Sequence, residues 1–471
     1  MFEPNPVAAV LGARSSWQRS LCLRLRAEGW TVYTETGDIG DRLDVVLWSM
    51  PATAAGAEVA LDQLARVNYA VGQLITRLEG TATAGRTAFL AVTRIDGARG
   101  LRSPARAGAV VAGVSGLVKT IVREAPSMFA RAVDLDPSLD DERVSALIRA
   151  ELHDDVTDLT EIGYDSSARR GTVAASEPIA FDHVDGLDLD GRDTMLVTGG
   201  ARGITAACVR ALAARCDARF LLLGRTPLSP EPGWAHGVGE TELRAAYLAE
   251  VRHRPDRPTP VQIGATVKAV IAGREVWRTL ESVDRATYLE CDIADRAALH
   301  RTLHPWLPEV TALTHGAGIL SDRFLRDKTL EEILRVLDAK LTGLLHLFDV
   351  LETDRLRHLV LFSSVAGWYG NSGQADYASA NEALNRLAVW FGGSSDCVVS
   401  AVNWGPWEGG MVGPALARLI RSRGVEPIAA ETGGRLFADL FARDRRGIAV
   451  ELIAPLSHPD FARGSSMHQA P

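Results

Sequence analysis

The chain has 471 residues, 46% hydrophobic and 23% charged, the composition of an ordinary globular protein and not of a disordered scaffold. Its 51 Lys and Arg stand against 59 Asp and Glu for a net charge of -8, which argues against a general nucleic-acid surface. No apolar run approaches the roughly 18 residues of a membrane span, Met1 to Val10 lacks the parts of a secretory signal, and the five cysteines are dispersed without a CxxC pair. No membrane contact, disulfide framework or metal site is therefore expected, and the chain reads as cytoplasmic.

Short Val, Leu and Ile-rich runs alternate with longer helical patterns, which predicts an α/β protein with parallel sheets covered by helices. In the first part strands are predicted at 7–11, 31–34, 45–48, 88–92 and 130–135. A break at 176–193, with Pro178 and the acidic stretch DHVDGLDLDGRD, reads as a linker into a second series of strands at 194–198, 220–223, 287–291, 312–315, 358–363 and 398–403. Two similar units thus lie in tandem, over 1–175 and 194–456. GVSGLVKTIVREAPSMFARAVDLD and ANEALNRLAVWFGGSSDCVVSAVNWG are a faint internal echo, each a helix pattern leading into a strand. Between Arg225 and Thr287 lies an enlarged connection with a Pro-rich HRPDRPTP between helical patterns near 242–252 and 263–282. The polar, aperiodic 457–471 reads as a disordered tail.

In MLVTGGARGIT a strand ending at Thr198 runs into Gly199, Gly200, Arg202 and Gly203 and then into a helix from Ile204. Such a turn lets backbone approach a pyrophosphate and offers it helix N–H groups. The next strand, FLLLGRT, ends in Gly224 and Arg225 and not in the carboxylate that bonds a ribose 2′-hydroxyl, so Arg225, with Arg202, favours NADPH. Asp292 and Ile293 follow a further strand, and the turn at His315, Gly316 and Ala317 follows another, where such folds flank the cofactor.

In LFSSVAGWYGNSGQADYASANEALNRLAVW, Ser364 ends a strand, while Tyr377 opens a helix and shares a face with Asn381. A phenol used as an acid near neutrality benefits from a cation. Lys340 lies among Leu337, Leu341 and Leu344 of an apolar stripe and points inward. Only Lys119, Lys268, Lys328 and Lys340 are lysine among the 51 basic residues (51 − 4 leaves 47 arginines). A retained lysine therefore gains weight as a functional ammonium.

These residues resemble the short-chain dehydrogenase/reductase superfamily, and within it the ketoreductase domains of polyketide synthases, closest in look to the iterative enediyne-type and polyunsaturated fatty-acid synthase members. Asn381 stands four residues after Tyr377, where ordinary superfamily members have lysine, and Lys340 lies on the preceding helix. That exchange is the hallmark of the ketoreductases, and NWGPWEGGM at 403–411 resembles their substrate-side lid. The resemblance implies two Rossmann-like units, a truncated structural one without a phosphate loop in VLGARSSW and a doubly wound catalytic one. It also implies NADPH-dependent reduction of a β-ketoacyl thioester on an acyl carrier protein, alongside other synthase domains. Tyr377 would be the acid, Ser364 would bond the same oxygen, Lys340 would hold ribose and lower the Tyr377 pKa, and Asn381 would order Lys340 or a relay water. Asp322, Tyr369, Gln374 and Met411 become substrate and stereocontrol candidates. Leu320-Ser321-Asp322 approximates the Leu-Asp-Asp of B-type members, which give the D-hydroxy product. A catalytically silent structural module and a free-standing reductase of a small ketone are the rival readings.

Overall fold

The computed structural model describes residues 2–37, 39–102, 105–172, 186–253, 256–409, 414–422, 424–443, 445 and 447–454. Most of the expected linker (176–185), Met411 and the expected tail at 457–471 lie outside the described residues.

The predicted apolar runs become strands β1 (Val7–Gly12), β2 (Thr31–Tyr33), β3 (Val45–Ser49), β4 (Ala88–Thr93) and β5 (Phe129–Leu135). Every residue of β3, β4 and β5 is buried, as parallel strands covered on both faces must be. Two further strands, β6 (Glu161–Tyr164) and β7 (Arg170–Gly171), complete the first sheet in the order β2-β1-β3-β4-β5-β6-β7. Its pairings are parallel except the last.

The second sheet holds β8 (Thr194–Thr198), β9 (Arg219–Gly224), β10 (Ala286–Glu290), β11 (Val310–His315), β12 (His358–Ser364), β13 (Val398–Trp404) and β14 (Ile448–Ile453), ordered β10-β9-β8-β11-β12-β13-β14. Relative to this order the first sheet lacks one outer strand beyond β2. The chain is thus an α/β fold of two Rossmann-like units. In the second unit strand order reverses between β8 and β11, which opens a crevice at their carboxyl ends.

Sequence reading missed β6, β7 and β14. The short EIGY of β6 carries a buried glutamate, Glu161, whose charge is met by Lys119 Nζ at 2.8 Å, so its burial leaves no apolar signature. The two helices expected around the Pro-rich stretch form as Leu243–Glu250 and Pro260–Glu281, the second starting three residues earlier than its pattern. Pro260 is the first residue of the helix Pro260–Glu281, whose start is closed by a Thr259–Gln262 capping box.

Three large apolar layers hold the described residues together, beside a small cluster of Ala235, Leu243 and Val270 in the enlarged connection. One backs the first sheet through Leu21, Leu25 and Ile148, and one backs the second through Val209, Phe220 and Phe437. The third is shared, joining Val46 and Phe89 of the first unit to Leu359, Leu361 and Leu384 of the second. Within it the helix Val114–Glu124 lies against the helix Ala375–Gly393 with backbones nearly touching. A Cβ on Gly116 would stand 2.3 Å from the Ala378 carbonyl oxygen, and one on Gly113 would stand 2.7 Å from that of Ser379. These two helices precede β5 and β13, which hold equivalent places in their sheets, so the sequence echo marks the pair that joins the units.

Candidate active site

A crevice of about 2830 Å³ runs along the carboxyl ends of β8, β9, β11, β12 and β13. Its floor is set by glycines. Gly199 and Gly203 have φ of 70° and 59°, values that favour glycine, and a Cβ on Gly200 would lie 2.6 Å from Val197. Thr205 stands where a dinucleotide turn often has another glycine, and the close approach is moved to its neighbour. A Cβ on Gly316 would meet the Thr205 side chain at 2.6 Å, so the glycine of the facing turn makes the room. Thr198, Gly199, Gly203 and Ile204 line the crevice, with Gly316 and Ala317 opposite.

At the far end stand Arg202 and Arg225, both exposed to solvent and both on the crevice wall. Arg202 Nε donates to Glu275 at 2.8 Å, from the helix Pro260–Glu281, and Arg225 lies 3.8 Å from Asp292. The Asp292 carboxylate accepts the Ala294 N–H at 3.0 Å, shaping its own turn. Ile293 packs on Gly343 and offers its carbonyl to His346. The enlarged connection after Arg225, which had no assignment from sequence, therefore walls this end of the crevice.

At the centre, His315 is wholly buried and clamps two elements. Its Nε2 donates to the Lys340 carbonyl at 2.9 Å, which makes Nδ1 the acceptor for Thr198 Oγ1 at 2.9 Å, and Thr198 Oγ1 in turn accepts the Ala317 N–H. Burial pushes the imidazole down to about 3, so it stays neutral in this role. The helical stretch carrying Lys340 is interrupted by a π turn, Asp338–Thr342, between Leu330–Leu337 and Gly343–Val350, a feature frequent at functional sites.

Lys340 is 3% exposed. Its Nζ donates to the Phe362 carbonyl at 2.8 Å and lies 5.2 Å from the centre of the Tyr377 ring. Desolvation lowers it to about 7. Tyr377 is half-buried at the crevice wall, and burial raises its pKa although Asn381 and Ser364 lie within hydrogen-bonding reach and favour the phenolate. The expected lowering of Tyr377 by Lys340 is thus not what the chain alone displays, because the ammonium is drawn to the Phe362 carbonyl and burial dominates. Ser364 Oγ caps the short helix Val365–Tyr369 by accepting the Ala366 N–H. Asn381 Nδ2 donates to the Tyr377 carbonyl at 2.7 Å, leaving its Oδ1 buried with no partner among the described residues.

On the opposite lip, Asp322 Oδ1 accepts from Gln374 Nε2 at 3.0 Å, so two of the substrate-side candidates are joined. Tyr369 does not line the crevice. Its carbonyl accepts from Arg123 Nε at 2.8 Å, and the fold carries residue 370 onto the backbone of Lys119, where a Cβ would lie 2.4 Å from the Lys119 carbonyl carbon. Gly200, His315 and Asn381 lie beneath the lining and not in it.

Sequence reading missed Lys328 and Lys119, although lysine scarcity pointed at them. Lys328 is 2% exposed, and its Nζ donates to the Ser321 carbonyl and to Asp376 at 2.6 and 2.9 Å, tying the Asp322 loop to the Tyr377 helix. Lys119, from the first unit, bonds Glu161, Glu382 and the Gly367 carbonyl in the short helix after Ser364. Three of the four lysines are buried, and Lys268 is exposed.

Residues 193–409 match the KR domain model. The chain is 33% identical over 420 residues to a polyunsaturated fatty acid synthase polypeptide of Thraustochytrium sp., an alignment covering 83% of this chain and 14% of that protein. It is 26% identical over 382 residues to polyketide synthase PksL of Bacillus subtilis, covering 78% of this chain and 8% of that one. The chain therefore spans a small part of these relatives. Among solved structures, an N-terminal ketoreductase from the macrolactin assembly line aligns with a TM-score of 0.69 at 18% identity, over 99% of this chain and 90% of that one. A-type ketoreductases from a modular polyketide synthase give 0.66 at 23%, over 100% and 93%. At these identities the structural likeness concerns the fold.

Proposed function

We propose that the chain, whose residues 193–409 form a KR domain of the short-chain dehydrogenase/reductase type found in polyketide synthases, reduces a β-ketoacyl thioester on an acyl carrier protein with NADPH. The polyunsaturated fatty-acid synthase branch is favoured, since that relative is 33% identical to the chain against 26% for PksL over a similar share of it. The carrying observation is the convergence of Ser364, Tyr377 and Lys340, from three separate stretches of chain, on one crevice wall, with Asn381 directly beneath Tyr377.

The glycine-floored turn fits a dinucleotide, because a Cβ at Gly199 would stand 3.3 Å from the Gly316–Ala317 backbone and narrow the cradle. Thr198, Gly199, Gly203 and Ile204 would hold the pyrophosphate, Arg202 and Arg225 a 2′-phosphate, and Ile293, Ala317 and Lys340 the middle of the molecule. When bound, the reduced nicotinamide supplies hydride.

The protein's own part is proton delivery and orientation. Tyr377 gives its phenolic proton to the ketone oxygen as negative charge develops there, and Ser364 Oγ–H donates to the same oxygen. Burial keeps the phenol protonated and loaded. After transfer, Ser364 and Asn381 bond the phenolate. Lys340, lowered by burial to about 7, would restore its proton, and the buried Asn381 Oδ1 would accept from the Lys340 ammonium or a relay water.

Asp322 and its partner Gln374 would meet the acyl arm and present one ketone face, which favours B-type reduction to the D-hydroxy thioester. Chiral chromatography against both synthetic enantiomers tests this, and a predominantly L product would refute it. Catalytic efficiency with NADPH should exceed that with NADH, and Arg225→Asp should narrow or reverse the difference. Equal efficiencies in the unmutated protein would contradict the role given to Arg225.

A further inference from the structure

The acid that joins the two lips of the substrate side comes from the other unit. Glu124 ends the helix Val114–Glu124 of the first unit, and its carboxylate is shared. Oε2 accepts the Leu325 N–H at 2.8 Å and Oε1 accepts the Gly373 N–H at 2.7 Å. The two amides belong to separate loops of the second unit. One loop carries Asp322 and the other ends in Gln374. The same loops touch directly where the Arg323 N–H meets the Gly373 carbonyl at 2.9 Å.

The location is unfavourable for a carboxylate in itself. The C-terminal end of a helix repels negative charge, and half-burial raises the pKa of this group. What compensates is the pair of backbone donors, which are otherwise left in a partly buried seam. The first unit also fixes Leu325 from behind, since a Cβ on Gly72 would stand 2.5 Å from the Leu325 carbonyl oxygen.

We propose that Glu124 is a positioning residue for substrate recognition: by bridging the Leu325 and Gly373 amides it sets the spacing at which Asp322 and Gln374 meet the acyl arm. The first unit is then part of the specificity apparatus as well as a packing partner. The catalytic consequence rests on the reductase reading above; the bridge itself does not.

Hydrogen-exchange mass spectrometry on the full chain without substrate tests the bridge. In Glu124→Gln one oxygen is replaced by a donor, so one amide loses its acceptor. Exchange in one of the two peptides covering 323–327 and 371–375 should quicken by about tenfold, with peptides across Gly203–Ala213 unchanged. In turnover of a β-keto thioester the same variant should raise KM and lower the enantiomer ratio by about threefold to tenfold, while NADPH affinity stays within about twofold. Glu124→Asp keeps the charge but is one methylene shorter, and should show the same exchange effect at one loop even if Glu124→Gln does not fold. Unchanged exchange in both peptides would overturn the bridge. Quickened exchange with an unchanged KM and enantiomer ratio would overturn its role in recognition. A wild-type chain that reduces no β-keto thioester would defeat the reductase reading, and the exchange result would still decide the bridge.

Discussion

Lys340 shows how far a single residue's surroundings set its chemistry. Its ammonium is buried against one carbonyl, with no carboxylate among its hydrogen-bond or ion-pair partners in the described residues, so desolvation governs it and brings it to about 7. In the unfolded chain a lysine titrates near 10.4. Between these two values the unfolded state binds more protons than the folded state, so this group makes stability rise with pH through that window. Urea unfolding of wild type and Lys340→Met from pH 7 to pH 10 should therefore show the wild type gaining relative to the variant as pH rises; parallel profiles would contradict the burial argument. Lys340, Ser364 and Tyr377 were legible in the sequence because stripe position, strand end and helix start each fix a side chain's direction. The partners of Arg202 and Arg225 were not legible, since Glu275 lies 73 residues from Arg202 and no local period connects them. The displacement of Tyr369 was equally hidden, because it follows from residue 370 meeting a helix of the other unit.

At the scale of elements, the close crossing of Val114–Glu124 and Ala375–Gly393 carries the loops around the site. Lys119, Arg123 and Glu124 reach from the first of these helices to Gly367 in the short helix after Ser364, to Tyr369 and to Gly373. Gly116 makes that reach possible, and Gly116→Ala would press a methyl onto the Ala378 carbonyl oxygen at 2.3 Å unless the helices part. Overpacking of this kind costs about 1–3 kcal/mol. A matching fall in urea stability is expected, with loss of turnover disproportionate to the unfolded fraction; an unchanged midpoint and rate would show that the crossing is not tight. The echo between the two helix-strand segments was visible in the sequence, whereas their contact was not, because glycine spacing within an apolar helix does not name the helix it faces. The strands β6, β7 and β14 were missed for local reasons: a buried ion-paired glutamate in β6, a length of two residues in β7, and a position beyond a polar stretch for β14.

At the scale of the whole molecule, the shared apolar layer makes one body of two Rossmann-like sheets, and the second opens a glycine-floored crevice at its switch point. In the first, the end of β1 lies tightly against β3: a Cβ on Gly12 would lie 2.2 Å from the Ser49 carbonyl oxygen and 2.9 Å from the Trp48 indole nitrogen. No helix among the described residues is long and apolar enough to cross a membrane. The division of labour that follows, one unit bearing the proton donor and the other bracing the loops around it, depends on Tyr377 being the acid of a ketoreduction. The most direct test mixes the full chain with NADPH and a short β-keto thioester, following both the loss of reduced-nicotinamide absorbance and the formation of the hydroxy thioester, for wild type and for Tyr377→Phe. Wild type should consume the two reactants in equal amounts, and Tyr377→Phe should be slower by about a hundredfold or more while binding NADPH within about twofold of wild type. A wild-type protein that leaves the thioester untouched, or a Tyr377→Phe variant that reduces it at the wild-type rate, would contradict this.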